Sequence, residues 1–161
     1  CYTCGESNII DQNLSNNLTG PMTVEFWIKH SQTSEGNLHP LTAKQFYIMF
    51  AGMQDAAEAG IQVNFTDPSG NNPVSGGASL PFNEWTHFSI TRDASMLYKI
   101  YKNGIFKKQA QGAADQPVIT QQLSFGAHLG AFGIGNLDEI RFWNYERSEQ
   151  DIQSNLYIKF L

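Results

Sequence analysis

Trp85-Thr86-His87-Phe88-Ser89-Ile90-Thr91-Arg92, followed by Tyr98-Lys99-Ile100-Tyr101-Lys102-Asn103-Gly104-Ile105, is the stretch whose reading decides the fold. The first run is rich in aromatic and β-branched residues, which suit a pleated, half-buried surface. The second places Asn103-Gly104 between two apolar runs. A two-residue type I′ turn needs positive φ at both central positions, and this pair tolerates it best. A strand over residues 84–92 and a hairpin of strands 97–102 and 105–111 are therefore expected.

Working outward, residues 22–30 alternate Val24, Phe26 and Ile28 with Glu25, Trp27 and Lys29. Because Trp27 is apolar too, both faces of that strand are expected to be partly covered. Residues 134–144 read as the longest strand. Further strands are expected at 7–12, 45–51, 61–65, 118–125 and 156–161. Polar loops are expected at 13–21, 31–44, 66–81 and 126–133, and the 52–60 connection has a stretch from Asp55 to Glu58 that suits a helical turn. Ser148 with Asp151 three residues on gives a helix start. The reading is an all-β, two-sheet antiparallel jelly-roll sandwich with one short helix near the C-terminus. One domain is expected over residues 1–161, with residues 1–6 as a Cys-x-x-Cys segment.

Composition narrows the function. A chain of 161 residues buries roughly 68–70% of its unfolded surface and needs no metal or disulfide to be stable. The net charge is −5 and the basic residues do not cluster beyond Lys107-Lys108, so no nucleic-acid partner is expected. No apolar run approaches the ~18 residues of a membrane-spanning helix. Sequons at Asn13, Asn17 and Asn64 make these glycosylation candidates and, with the Cys1 start, favour a secreted, extracellular origin.

Cys1 and Cys4 are the two cysteines. They precede Gly5 and a polar strand, without the helix that would lower a thiol pKa. The four histidines, His30, His39, His87 and His128, lack the spacing of a metal module. A disulfide remains, either local or bridging to another subunit.

Three stretches carry a family likeness: residues 22–29, residues 84–104, and Gly135 to Ile152 with its Asp138-Glu139-Ile140-Arg141-Phe142-Trp143-Asn144 core. Over nearly its whole length the chain resembles the laminin-G-like and concanavalin-A-like jelly rolls, a group that includes pentraxins and many lectin-like domains. The resemblance implies that Trp27, Trp85, His87, Asp138, Arg141 and Trp143 are scaffold, a partly exposed tryptophan being the exception that could stack on a sugar. Pentraxins hold calcium with a cluster of acids and amides in a long loop. The corresponding loop, 126–133, contains no carboxylate, and no spacing demands that Asp55, Glu58 and Asp67 bind one. No cofactor or metal is therefore expected, with calcium kept as an alternative that is not favoured. Glucanases of the same group carry a Glu-x-Asp-x-Glu strand, which is absent. Asp138 and Glu139 are adjacent and so expected on opposite faces. No catalytic residues are expected, and the protein is read as a non-enzyme.

With the scaffold subtracted, the polar loops remain as the sugar site. Glu35, Asn37 and His39 come from the first, Asp67 and Asn71 from the second, and His128 from the third. Amides and neutral imidazoles both donate and accept, as hydroxyl recognition requires. The expectation is a secreted lectin that binds glycans on glycoproteins or cell surfaces, galactose-type sugars among them. A homo-oligomer would make it multivalent. A laminin-G-like adhesion or matrix module, or an accessory binding domain of a carbohydrate-active enzyme, is the alternative.

Overall fold

The computed structural model describes residues 2–4, 10–13, 20–30, 38–43, 46–51, 58–65, 74–112, 122–125, 127–128, 131–132 and 135–157. One six-stranded sheet runs in the order Tyr2–Cys4 (β1), Gly135–Trp143 (β14), Met22–His30 (β3), Thr86–Arg92 (β8), Leu97–Lys102 (β9) and Ile105–Gln111 (β10). A second has the order Ile10–Asn13 (β2), Gln122–Phe125 (β11), Leu38–Ala43 (β4), Phe46–Ala51 (β5), Glu58–Phe65 (β6) and Val74–Pro81 (β7). Ala127–His128 (β12) and Ala131–Phe132 (β13) form a two-stranded ribbon, and Glu149–Ser154 (α1) is a short helix. The chain leaves the first sheet after β3, lays down β4 to β7 in the second, and returns at β8 to pair with β3. That crossing between layers makes the sandwich.

Period-2 alternation assigns the faces. Met22, Val24, Phe26 and Ile28 of β3 join Phe88 and Ile90 of β8, Tyr98 and Ile100 of β9, and Leu137 of β14 in the core. The second sheet contributes Ile48, Phe50 and Leu80. Phe88 ties the layers together, its ring 6.2 Å from Phe26 and edge-on to Phe50 at 5.0 Å. Such a ring pair adds ~0.5–1.5 kcal/mol beyond the area it buries.

The hairpin forms as its turn residues require. Asn103 has φ 50° and Gly104 φ 76°, the positive pair of a type I′ turn. Asn103 is also tied to the strand beside it: its Oδ1 accepts the His87 N–H at 2.9 Å, and its own N–H donates to the His87 carbonyl at 2.9 Å. A Cβ added at Gly104 would lie 3.0 Å from Gln153 Cγ. Gly104→Ala is expected to destabilise the fold by about 1–2 kcal/mol, mostly left-handed strain. A lowered urea midpoint with unchanged m would show it.

Helix α1 starts as expected. Ser148 Oγ accepts the Asp151 N–H at 3.1 Å and an Asp151 carboxylate oxygen accepts the Ser148 N–H at 3.2 Å.

Several expectations are corrected. The 31–44 loop contains β4, disguised by Pro40 between Leu38 and Leu41, where the ladder itself shifts register. Proline lacks the ladder N–H and reads as a strand breaker. The 66–81 loop contains β7 at the edge of its sheet. Gly76-Gly77 removes the side chains from which alternation is read. The 126–133 loop holds the β12–β13 ribbon. The Cys-x-x-Cys segment supplies an edge strand, with Cys4 opposite Gly135. Glu58 opens β6 rather than closing a helical turn. The strand expected at 156–161 begins in a turn at 155–157, and its remainder lies outside the described residues. Cys1 and Asn17 also lie outside them. The Asn13 and Asn64 sequons fall on β2 and β6.

Candidate functional site

The outward face of the first sheet carries the polar register of its strands. Trp27 stands opposite His87 on β8 and Asp138 on β14; Glu25 stands opposite Ser89 and Arg141; Thr23 stands opposite Thr91 and Trp143. Residues 144–157 lie across this face as a strap. Thr23 Oγ1 donates to the Tyr145 carbonyl and accepts the Arg147 N–H, both at 2.9 Å. The Arg147 guanidinium sits 4.4 Å over the Trp143 ring and donates to Glu25 Oε1 at 2.7 Å and to the Asp151 carbonyl at 2.8 Å. Glu25 and Arg147 are both buried.

Burial sets the protonation beneath the strap. It lifts the Glu25 carboxyl above the ordinary range against the pull of Arg147. His87 Nε2 lies 3.7 Å from Glu25 Oε2, yet burial and the guanidiniums of Arg141 and Arg147 lower its pKa to about 4. The imidazole is neutral at pH 7, and its contact with Glu25 is not an ion pair there.

Where the strap ends, a groove opens. Trp27, Trp85, Asp138, Glu139, Leu156 and Tyr157 line a cavity of about 270 Å³. Trp85 is 40% exposed and Tyr157 81%. The Trp27 and Tyr157 rings are 5.9 Å apart, tilted by 38°. The register of β14 against β3 shifts between Asp138 and Arg141, and Glu139 takes a positive φ of 49°. This bulge corrects the expectation that Asp138 and Glu139 point to opposite faces. An extra residue cancels the alternation, so both carboxylates line one groove. A non-glycine residue in the left-handed region costs ~1–3 kcal/mol, and such strain clusters at active sites and ligand clamps as well as in turns. Arg141 pairs with Glu139 and donates to the Asn155 carbonyl at 3.5 Å, while Asp138 Oδ1 accepts the Glu139 N–H at 3.0 Å.

Aromatic faces stack on apolar C–H surfaces, and carboxylates accept hydroxyl or ammonium protons. The groove offers both within one concave site. Trp27, Trp85 and Asp138, expected as scaffold, belong to it; His87 packs against Trp27, Arg141 pairs with Glu139, and Trp143 lies further along the sheet under Arg147. Of the expected loop site, Glu35, Asn37, Asp67 and Asn71 lie outside the described residues. His39 falls on β4 and His128 on β12. Among the described residues no group of three His, Cys, Asp or Glu could hold a metal ion, and no helix is long and apolar enough to cross a membrane.

Residues 5–153 match the family model described as the concanavalin A-like lectin/glucanases superfamily, of laminin-G type. The chain belongs to that superfamily. No curated protein matches it by sequence. The binding domain of botulinum neurotoxin serotype D is similar in fold, with TM-score 0.73 and 18% identity over 94% of this chain and 41% of that one. A ligand-binding domain of the same toxin, solved in complex with N-acetylneuraminic acid, has TM-score 0.70 and 18% identity over 91% and 39%. A native heptameric SAP-like pentraxin from Limulus polyphemus has TM-score 0.68 and 12% identity over 96% and 79%. The chain thus spans about two fifths of the toxin domains it resembles. Superfamily membership agrees with the expected jelly roll, and these three neighbours show the fold. They do not place the groove.

Sequence reasoning misses Tyr157, Leu156 and Glu139. Tyr157 lies just past the helix, where apolar residues suggest a strand, and the bulge that turns Glu139 inward leaves no mark in residue type. Trp27 does carry a signal. A large aromatic at the polar phase of a strand, between Glu25 and Lys29, marks an outward surface that something must cover or bind.

Proposed function

We propose that this chain is a carbohydrate-binding protein that grips a glycan without transforming it. The observation that carries the reading is the convergence of Trp27, Trp85 and Tyr157 with Asp138 and Glu139 in one groove. Its volume, about 270 Å³, lies just below the range of small-molecule sites, which starts near ~300 Å³. A terminal sugar or a short disaccharide suits it better than a long chain. Superfamily membership, and the sugar complex of a neighbour with the same fold, support the choice of ligand class. Against a catalytic step stands the lack of an alternating Glu-x-Asp-x-Glu strand, together with the commitment of Glu139 to Arg141.

Weak single-site binding would be strengthened by several copies acting together. Exposed Ile105 and Phe106 on the edge strand β10 support pairing there with a second chain. A secreted protein displaying several such sites to cell-surface glycans is the corresponding biological role.

The test is a glycan array followed by titration of the best ligand. Trp85→Ala is expected to weaken binding at least ~10-fold, as truncating an aromatic anchor commonly does, without changing the circular dichroism. Binding that ignores both Trp85→Ala and Tyr157→Ala would move the site elsewhere, and an array with no hits would end the lectin reading.

A further inference from the structure

We infer that the preferred occupant of this groove is an amino sugar with a free, protonated amine. The inference rests on the glycan-binding reading and specifies its ligand. The charge around the groove is the first reason. Asp138 and Glu139 line it, and Arg141 beside them is paired with Glu139. Arg147 is committed to Glu25 and to the face of Trp143. His87, under Trp27 with ring centroids 5.3 Å apart, is neutral at pH 7. Lys29 lies two residues along β3 from Trp27, roughly 7 Å at strand spacing. The charged side chains among the residues that line the groove are thus both carboxylates, Asp138 and Glu139, in a chain whose net charge is −5.

The aromatic lining is the second reason. Trp27, Trp85 and Tyr157 line the groove, and the negative quadrupole of an aromatic ring attracts a cation, by ~0.5–1 kcal/mol when exposed and ~2 kcal/mol when desolvated. Carboxylates alone would suit any ammonium, and aromatic faces alone any sugar. Together they suit a pyranose ring that carries an ammonium group. The ring stacks, the ammonium donates to Asp138, and Leu156 covers an apolar edge. N-acetylation replaces the cation with a neutral amide and removes the charge contact. An anionic sugar adds a like charge beside Asp138, which costs affinity. The groove is therefore expected to reject N-acetylneuraminic acid, the ligand of one neighbour that shares its fold.

The experiment titrates the full chain at pH 6 with glucosamine and galactosamine, their N-acetylated forms, glucose, galactose and N-acetylneuraminic acid. Tetramethylammonium serves as a sugar-free cation. At least one free amine sugar should bind ~10-fold more tightly than its neutral and N-acetylated counterparts, the gain of one charge-assisted hydrogen bond. The ratio should shrink toward unity in Asp138→Asn, and also in high salt, which screens exposed charge. Neutral and amine sugars binding equally would overturn the amino-sugar inference and leave the glycan reading intact. No sugar binding of any kind would overturn both. Tetramethylammonium binding as tightly as the amino sugars, with neutral sugars inert, would mark a cation cage and also overturn both.

Discussion

Arg147→Met should lower stability by about 3–5 kcal/mol, the usual cost of leaving one member of a buried ion pair without its partner. Glu25 is 1% exposed and Arg147 4%. Removing the guanidinium strands the carboxylate beneath the strap. It also deletes the cation over Trp143 and the donor to the Asp151 carbonyl. The double variant Glu25→Gln/Arg147→Met should recover much of the loss, because the stranded charge is then gone. Urea denaturation followed by tryptophan fluorescence compares both variants with the parent. If Arg147→Met alone costs less than about 1 kcal/mol, the strap is held by Ile152 and Leu156 packing and the clamp is incidental. The clamp also bears on the groove, since Leu156 and Tyr157 reach it from the strap that Arg147 fixes. A destabilised strap should weaken sugar binding even with Trp85 and Asp138 untouched.

How much of this is legible in the sequence depends on which signals survive in residue type. Strands β3, β8 and β9 alternate side chains of contrasting polarity, Asn103-Gly104 specifies the turn into β10, and β14 reads as a strand from its aromatic and β-branched residues. Their placement follows from pattern alone, as does the Ser148–Asp151 capping box. Strands β4 and β7 are hidden because Pro40 and Gly76-Gly77 mimic turns while their neighbours supply the ladder. The groove is harder still. Trp27 and Trp85 stand in plain view but resemble family scaffold, and residue type alone points to the polar loops instead. The groove exists because a bulge at Glu139 breaks the two-residue period and a strap folds Tyr157 back across Trp27. Both are tertiary events, and neither is encoded in local spacing.

His87 gives the strap an acid limit. Its folded pKa is about 4 against an ordinary 6.5, so as pH falls the unfolded chain takes up this proton first. The contribution is fully present above about pH 6.5 and is lost progressively as pH falls toward 4. A tenfold difference in proton affinity between the folded and unfolded chains is worth about 1.36 kcal/mol, which makes the whole contribution about 3 kcal/mol. Glu25 works in the opposite direction. Its folded pKa is raised above 4.5, so the fold gains stability as pH drops through that raised value, partly offsetting the loss at His87. The two effects separate in His87→Phe. An aromatic ring keeps the packing under Trp27, and among the described residues His87 Nδ1 has no hydrogen-bond partner to lose. Removing an unsatisfied buried polar atom costs little and can stabilise. His87→Phe should therefore match or exceed the parent at pH 7 and lose less stability between about pH 6.5 and 4.5. Equal acid sensitivity in the two proteins would remove the imidazole as the source of the acid limit, and Glu25, whose titration stabilises the fold on acidification, could not replace it.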